Sequence, residues 1–135
     1  MRVDDREAYI YVLKKDGSFF QAIGYIVEVR GFEMGSIITH GDDRQPVFSL
    51  IDLWSGLKID SFVLKNEHKP FIETRGGTLT FLNVVVEELE NSMTEDEIEK
   101  IKSESDNEIK TNKRAPKPKT LTQDDWEFEM AKLRR

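Results

Sequence analysis

The composition of this chain breaks at Asn91, and that break limits what can fold. All eight glycines and eleven of the thirteen aromatic residues precede it. From Asn91 to Thr120, 14 of 30 residues are charged and five are apolar. A packed core can be built from the first composition but not from the second. Three parts are therefore expected. Residues 1–91 form one globular antiparallel-sheet domain. Residues 92–120 form a charged helix and a Pro/Lys linker, partly disordered. Residues 121–135 form a short amphipathic helix with its own Trp and Phe.

Charge sharpens this division. The net charge is −6. Residues 1–90 carry 15 acidic and 10 basic side chains, and residues 91–109 carry seven acids against two lysines. The sign then reverses: Lys110, Lys113, Arg114, Lys117 and Lys119 crowd ten residues without an acid. An acidic domain argues against a broad phosphate-binding face. With no cysteine there is no disulfide framework, thiolate metal site or thiol nucleophile. The charged N-terminus lacks the apolar stretch of a signal peptide. No apolar run reaches the ~18 residues of a membrane helix. A cytoplasmic location is expected.

Periodicity supplies the elements. Ala8, Ile10 and Val12 alternate with Tyr9, Tyr11 and Leu13, which is the period of a strand. Asp16-Gly17 is a tight hairpin turn because glycine tolerates positive φ. Phe19 to Arg30 is the return strand, with Phe19, Ile23, Tyr25, Val27 and Val29 on one face. Gly31 ends it, and a short strand follows over Ser36 to Thr39. Val47 to Trp54 and Leu57 to Leu64 pair about Ser55-Gly56. Pro70 to Glu73 reads as one more edge strand after a polar loop. Arg75-Gly76-Gly77 reads as a break.

Thr78 to Glu90 fits two patterns. Val84-Val85-Val86 favours a strand, whereas Leu79, Leu82, Val86 and Leu89 fit a helical face that Thr78 would cap. Helix is the preferred reading. Thr94 and Glu97 form a capping box for a helix over Glu95 to about Glu108, with a thin apolar face of Ile98, Ile101 and Ile109. Ala115-Pro116-Lys117-Pro118-Lys119 must be extended, since each proline disfavours helix before it. Thr122 and Asp125 cap a last helix. The expected fold class is α+β: a sheet of four to five antiparallel strands with a helix on one face, then a charged helix, linker and C-terminal helix.

Candidate chemistry is sparse. His40-x-Asp42-Asp43 has ligand atoms for a divalent ion, but Asp-rich loops usually serve their own turns. His68 beside Glu67 has no nucleophile to activate. Asp52 and Asp60 flank a hairpin turn beside Trp54, where paired carboxylates would suit acid–base work; alternating strands place such residues more often on a solvent face. Gly31/Gly35 and Gly76-Gly77 lack a phosphate-loop pattern. No enzyme, cofactor or metal is expected. Tyr9, Tyr11, Phe20, Phe48 and Trp54 could stack bases if they shared an open sheet face. Lys110, Lys113, Arg114, Lys117 and Lys119 would then be the nucleic-acid arm.

The C-terminal segment stands out most. Trp126, Phe128, Met130 and Leu133 follow a linker, and large apolar side chains must be covered by something. Trp126, Met130 and Leu133 share a helical face. They fold back onto the domain or anchor in a partner's groove. The sequence thus points to non-catalytic protein binding by a small accessory protein, of the kind phages and mobile elements encode. The partner is a protein, with a homodimer among the options and no membrane. A single-stranded nucleic-acid-binding sheet is the alternative.

Overall fold

In the computed structural model, residues 3–40, 45–65, 67 and 74–133 are described. Alternation gives the meander its strands: β1 (Ala8–Leu13), β2 (Phe19–Val29), β3 (Phe32–His40), β4 (Pro46–Asp52) and β5 (Lys58–Val63). Helices α1 (Arg75–Ser92) and α2 (Glu95–Thr111) follow. A two-residue strand, β6 (Lys119–Thr120), and helix α3 (Gln123–Leu133) complete the chain. The class is α+β, one antiparallel sheet ordered β5-β4-β3-β2-β1-β6 with three helices among the described residues. The sixth strand is the one that periodicity did not predict. Two residues are too few to show alternation.

Each hairpin has a local cause. Gly17 has φ +86°, and Asp16 accepts hydrogen bonds from the Ser18 backbone and hydroxyl, so the β1–β2 turn closes on itself. Arg30 and Gly31 both have positive φ (51° and 79°) between the paired Val29 and Phe32. That is the two-residue turn whose twist suits a hairpin. Gly31 therefore joins two strands without a gap, and β3 begins at Phe32, four residues earlier than expected.

The sheet is rolled. The Leu13 amide at the end of β1 donates to the Gly56 carbonyl in the β4–β5 turn at 2.9 Å. These strands are not neighbours in the sheet, so only curvature brings them together. Gly24, in the middle of β2, pairs with both Ala8 and Ile37. A Cβ there would stand 2.0 Å from the Ser36 carbonyl oxygen, so the close strand approach requires glycine. Ile10, Val12, Ile37 and Ile51 fill the inner face, with Ala22 and Leu53 at its margin.

The outer face carries the larger core. Val27, Met34, Phe48 and Leu50 meet Phe81, Leu82 and Val86 of α1 and Ile98 of α2. Phe48 lies between Phe62, at 5.1 Å between ring centroids, and Phe81, edge-on at 5.6 Å. Residues 75–92 are thus helix, which resolves the two patterns of the Val84-Val85-Val86 stretch. The cap is Thr74 rather than Thr78: its hydroxyl accepts from the Gly77 amide at 2.9 Å. Gly76-Gly77 lies inside the first turn and is not a break. Helix α2 starts at the expected Thr94 cap, which accepts from the Glu97 amide at 3.2 Å. The expected edge strand at Pro70 to Glu73 lies outside the described residues.

Candidate functional site

The C-terminal tail is fastened to the domain at successive points. The Asn112 side-chain amide donates to the Gly17 carbonyl at 3.0 Å. The Ala115 amide donates to the Trp54 carbonyl at 2.8 Å, and Ala115 is buried. The Arg114 guanidinium stacks over the Trp54 ring, 3.7 Å from its centroid. Prolines at 116 and 118 hold the chain extended. It then adds β6 to the free edge of β1, Ala8 opposite Thr120 and Tyr9 opposite Lys119. The Leu121 amide extends this contact to the Glu7 carbonyl at 2.9 Å.

Helix α3 begins with a reciprocal cap. The Asp125 amide donates to the Thr122 hydroxyl (3.1 Å), and the Thr122 amide to the Asp125 carboxylate (3.0 Å). Hydrogen bonding to the Asp125 carboxylate by Thr122, its backbone amide first and its side chain second, holds that carboxyl below its ordinary pKa, with help from Lys119 at 3.9 Å. The Tyr9 hydroxyl donates to the Glu129 carboxylate at 3.2 Å. Burial, and then this bond to Glu129, push the Tyr9 phenol above its ordinary pKa.

The orientation of α3 is the main finding. Asp125 and Glu129, four residues apart, lie on the side toward β1 and β6. The helix is seated on its polar face. Trp126 is 43 % exposed and Phe128 61 % exposed. Neither they nor Met130 belongs to either apolar cluster of the domain. Met130 is half-buried, and the side chain of Leu133 lies outside the described residues. The structure thus brings Trp126, Phe128 and Met130 onto one short helix but buries none of them in the core. Sequence spacing located α3 and its cap. It could not reveal the Tyr9–Glu129 contact, whose partners are 120 residues apart.

The basic residues are strung out rather than clustered. Lys110 ends α2, Lys113 and Lys117 are exposed on the extended segment, Arg114 covers Trp54, and Lys119 faces Asp125. Beside them a cleft of about 800 Å³ runs between α2 and the β4–β5 turn. Its walls include Lys102, Arg114 and Lys117, but also Glu33 and Asp106, so it carries no dominant sign.

Other candidates resolve differently. Asp52 is not on a solvent face: it is 1 % exposed, and its carboxylate accepts from the Ser55 hydroxyl and amide and from the Trp54 amide. It is the internal brace of the β4–β5 turn. Asp60 is exposed and lies opposite Leu50 rather than Asp52, so the two do not form a facing pair. The aromatics do not make one open platform. Tyr9 and Phe48 are buried, and by register Phe20 points to the opposite face from Tyr9 and Tyr11. Asp42, Asp43 and His68 lie outside the described residues, as does the side chain of His40. Among the described residues no group of three or more His, Asp or Glu is placed to hold a metal ion. No helix among them is long and apolar enough to cross a membrane. Comparison with protein families, characterised proteins and solved structures gave no match for this chain.

Proposed function

We propose that this is a non-catalytic protein-binding accessory protein and that α3 is its docking element. One observation carries the reading: α3 is capped and fastened through polar contacts while Trp126 and Phe128 stay exposed outside the apolar core, Phe128 with the Lys132 ammonium 4.5 Å from its ring centroid. A helix held in place with its large side chains outward has already lost much of the entropy that docking would cost. Trp is also the residue type most often dominant at protein interfaces. The experiment is cross-linking capture with wild-type protein beside Trp126→Ala and Phe128→Ala, each first shown to melt like wild type. Capture of a protein by wild type that both variants lose supports the reading. An unchanged set of captured proteins overturns it.

A further inference from the structure

The cleft between α2 and the β4–β5 turn holds charged groups that nothing in the fold pairs. Glu33 of β3 and Asp106 of α2 line it, and so do Arg114 and Lys117 of the extended segment after α2. Among the described residues no ion pair joins either acid to either base, or any of the four to another side chain. Arg114 is engaged by the Trp54 ring, not by a carboxylate. Glu28 lies opposite Glu33 in register, so a further carboxylate adjoins the acidic side. The other charges of the cleft are in use: Lys102 pairs with Glu99 at 3.6 Å and lies over the Phe32 ring, and Asp52 braces its own turn.

Ser105 is a second and independent observation. It is 5 % exposed and lines the same cleft, yet its hydroxyl makes no hydrogen bond among the described residues. A helical hydroxyl can donate to the carbonyl four residues before it, as Ser92 does to Glu88 at 2.9 Å; Ser105 does not. No side-chain polar atom among the described residues is both sealed from solvent and unpartnered. The Ser105 oxygen is therefore the part of that residue that opens onto the cleft. A nearly buried hydroxyl without a partner calls for one that arrives from outside.

The ligand that answers these groups carries both signs, held apart. A simple anion would meet Glu33 and Asp106, and a simple cation would meet Arg114 and Lys117. Phe32 and Leu53 supply apolar wall for the body between the charges. The volume of about 800 Å³ is more than a single amino acid fills and falls in the usual range of small-molecule sites, roughly 300–1,000 Å³. We infer that the cleft binds a short peptide with both ends free: its ammonium group toward Glu33 and Asp106, its carboxylate toward Arg114 and Lys117, and a backbone group on the Ser105 hydroxyl. This site is separate from α3 and does not rest on the docking role of that helix.

Isothermal titration calorimetry of the full-length protein tests this with Ala-Leu-Ala, Ala-Leu-Leu-Ala and Ala-Leu-Leu-Leu-Ala. Each peptide is supplied free at both ends, acetylated at the N-terminus, amidated at the C-terminus, and blocked at both. At least one free peptide should bind, and either block should weaken it at least tenfold. Two variants, each first shown to melt like wild type, assign the ends. Glu33→Gln with Asp106→Asn should no longer distinguish the free from the acetylated peptide. Lys117→Gln should shrink the penalty for amidation and leave that for acetylation. Lys117 has no hydrogen bond or ion pair among the described residues, so its loss leaves the segment after α2 in place. Ser105→Ala should weaken the free peptide without changing its preference for free ends.

Absence of binding by all three free peptides overturns the proposal. So does binding that ignores the state of the ends, which would mark adhesion to apolar surface. A preference for free ends that survives both variants would do the same, for it would place the site elsewhere on the molecule.

Discussion

Asp52 shows what one buried carboxylate does when it is not catalytic. It gathers the Ser55 hydroxyl and two backbone amides, and the turn it braces presents the Gly56 carbonyl to Leu13. Asp52→Ala removes the acceptor and strands buried donors, which should cost about 2–3 kcal/mol in chemical denaturation. Asp52→Asn keeps one acceptor oxygen and should cost less. Equal losses for both would mean that the charge matters rather than the hydrogen bonds. Gly24→Ala should be worse, at about 3 kcal/mol or more, because the added Cβ meets backbone rather than a movable side chain. Little of this is legible in sequence. The Asp16-Gly17 turn is, since its signal spans two adjacent residues. Asp52 is not: strand alternation cannot distinguish a carboxylate facing solvent from one folded back onto the next turn.

At the scale of elements, periodicity works where an element is long and one-sided. It found β1, β2, the capped α2 and α3, and it favoured helix for α1 despite three consecutive valines. It set β3 too short because Arg30-Gly31 lacks the Asn or Asp that usually announces such a turn. It missed β6, whose only cause is the open edge of β1. For α3 it gave the helix but not the orientation, because the seated face is polar. Two measurements test that orientation. In dilute protein Trp126→Ala should change stability by no more than about 0.5 kcal/mol, as for an exposed site. Phe48→Ala, in the core, should cost about 3–5 kcal/mol. A large loss for Trp126→Ala would mean that the helix packs on its apolar face. The contact with Tyr9 is also pH-dependent. Its phenol is held above the ordinary value of about 10, so the folded state favours the protonated form. That contribution is intact below about pH 10 and is lost as pH rises through the higher folded value. Wild type should therefore lose stability more steeply in alkali than Tyr9→Phe; identical alkaline limbs would show that Tyr9 ionises freely in the fold.

At the scale of the molecule, two kinds of attachment coexist. Helices α1 and α2 bury apolar side chains against the rolled sheet and are part of its core. The tail after Thr111 is held by backbone hydrogen bonds, a cation–aromatic stack and polar side chains, and Ala115 is its one buried residue among those described. Few buried contacts mean a low free energy of local opening. The tail should therefore detach without unfolding the domain. We predict that trypsin cuts first after Lys113 or Arg114, which are exposed on chain without helix or strand; Lys117 precedes a proline and resists cleavage. The remaining fragment should keep its sheet and both helices, with loss of the strap hydrogen bonds lowering stability by roughly 1–2 kcal/mol. Its new liability would be the edge of β1, where Ala8 and Tyr9 lose their partners in β6. An unpaired edge invites pairing with another chain, so the fragment should aggregate sooner than the intact protein under mild heating. Mass spectrometry of the first cleavage product, followed by its thermal melt and light scattering, decides the matter. A first cut within residues 8–63, or a fragment that no longer melts cooperatively, would show that the tail is integral to the fold. The exposed Trp126 would then belong to a structural brace and not to a detachable docking arm.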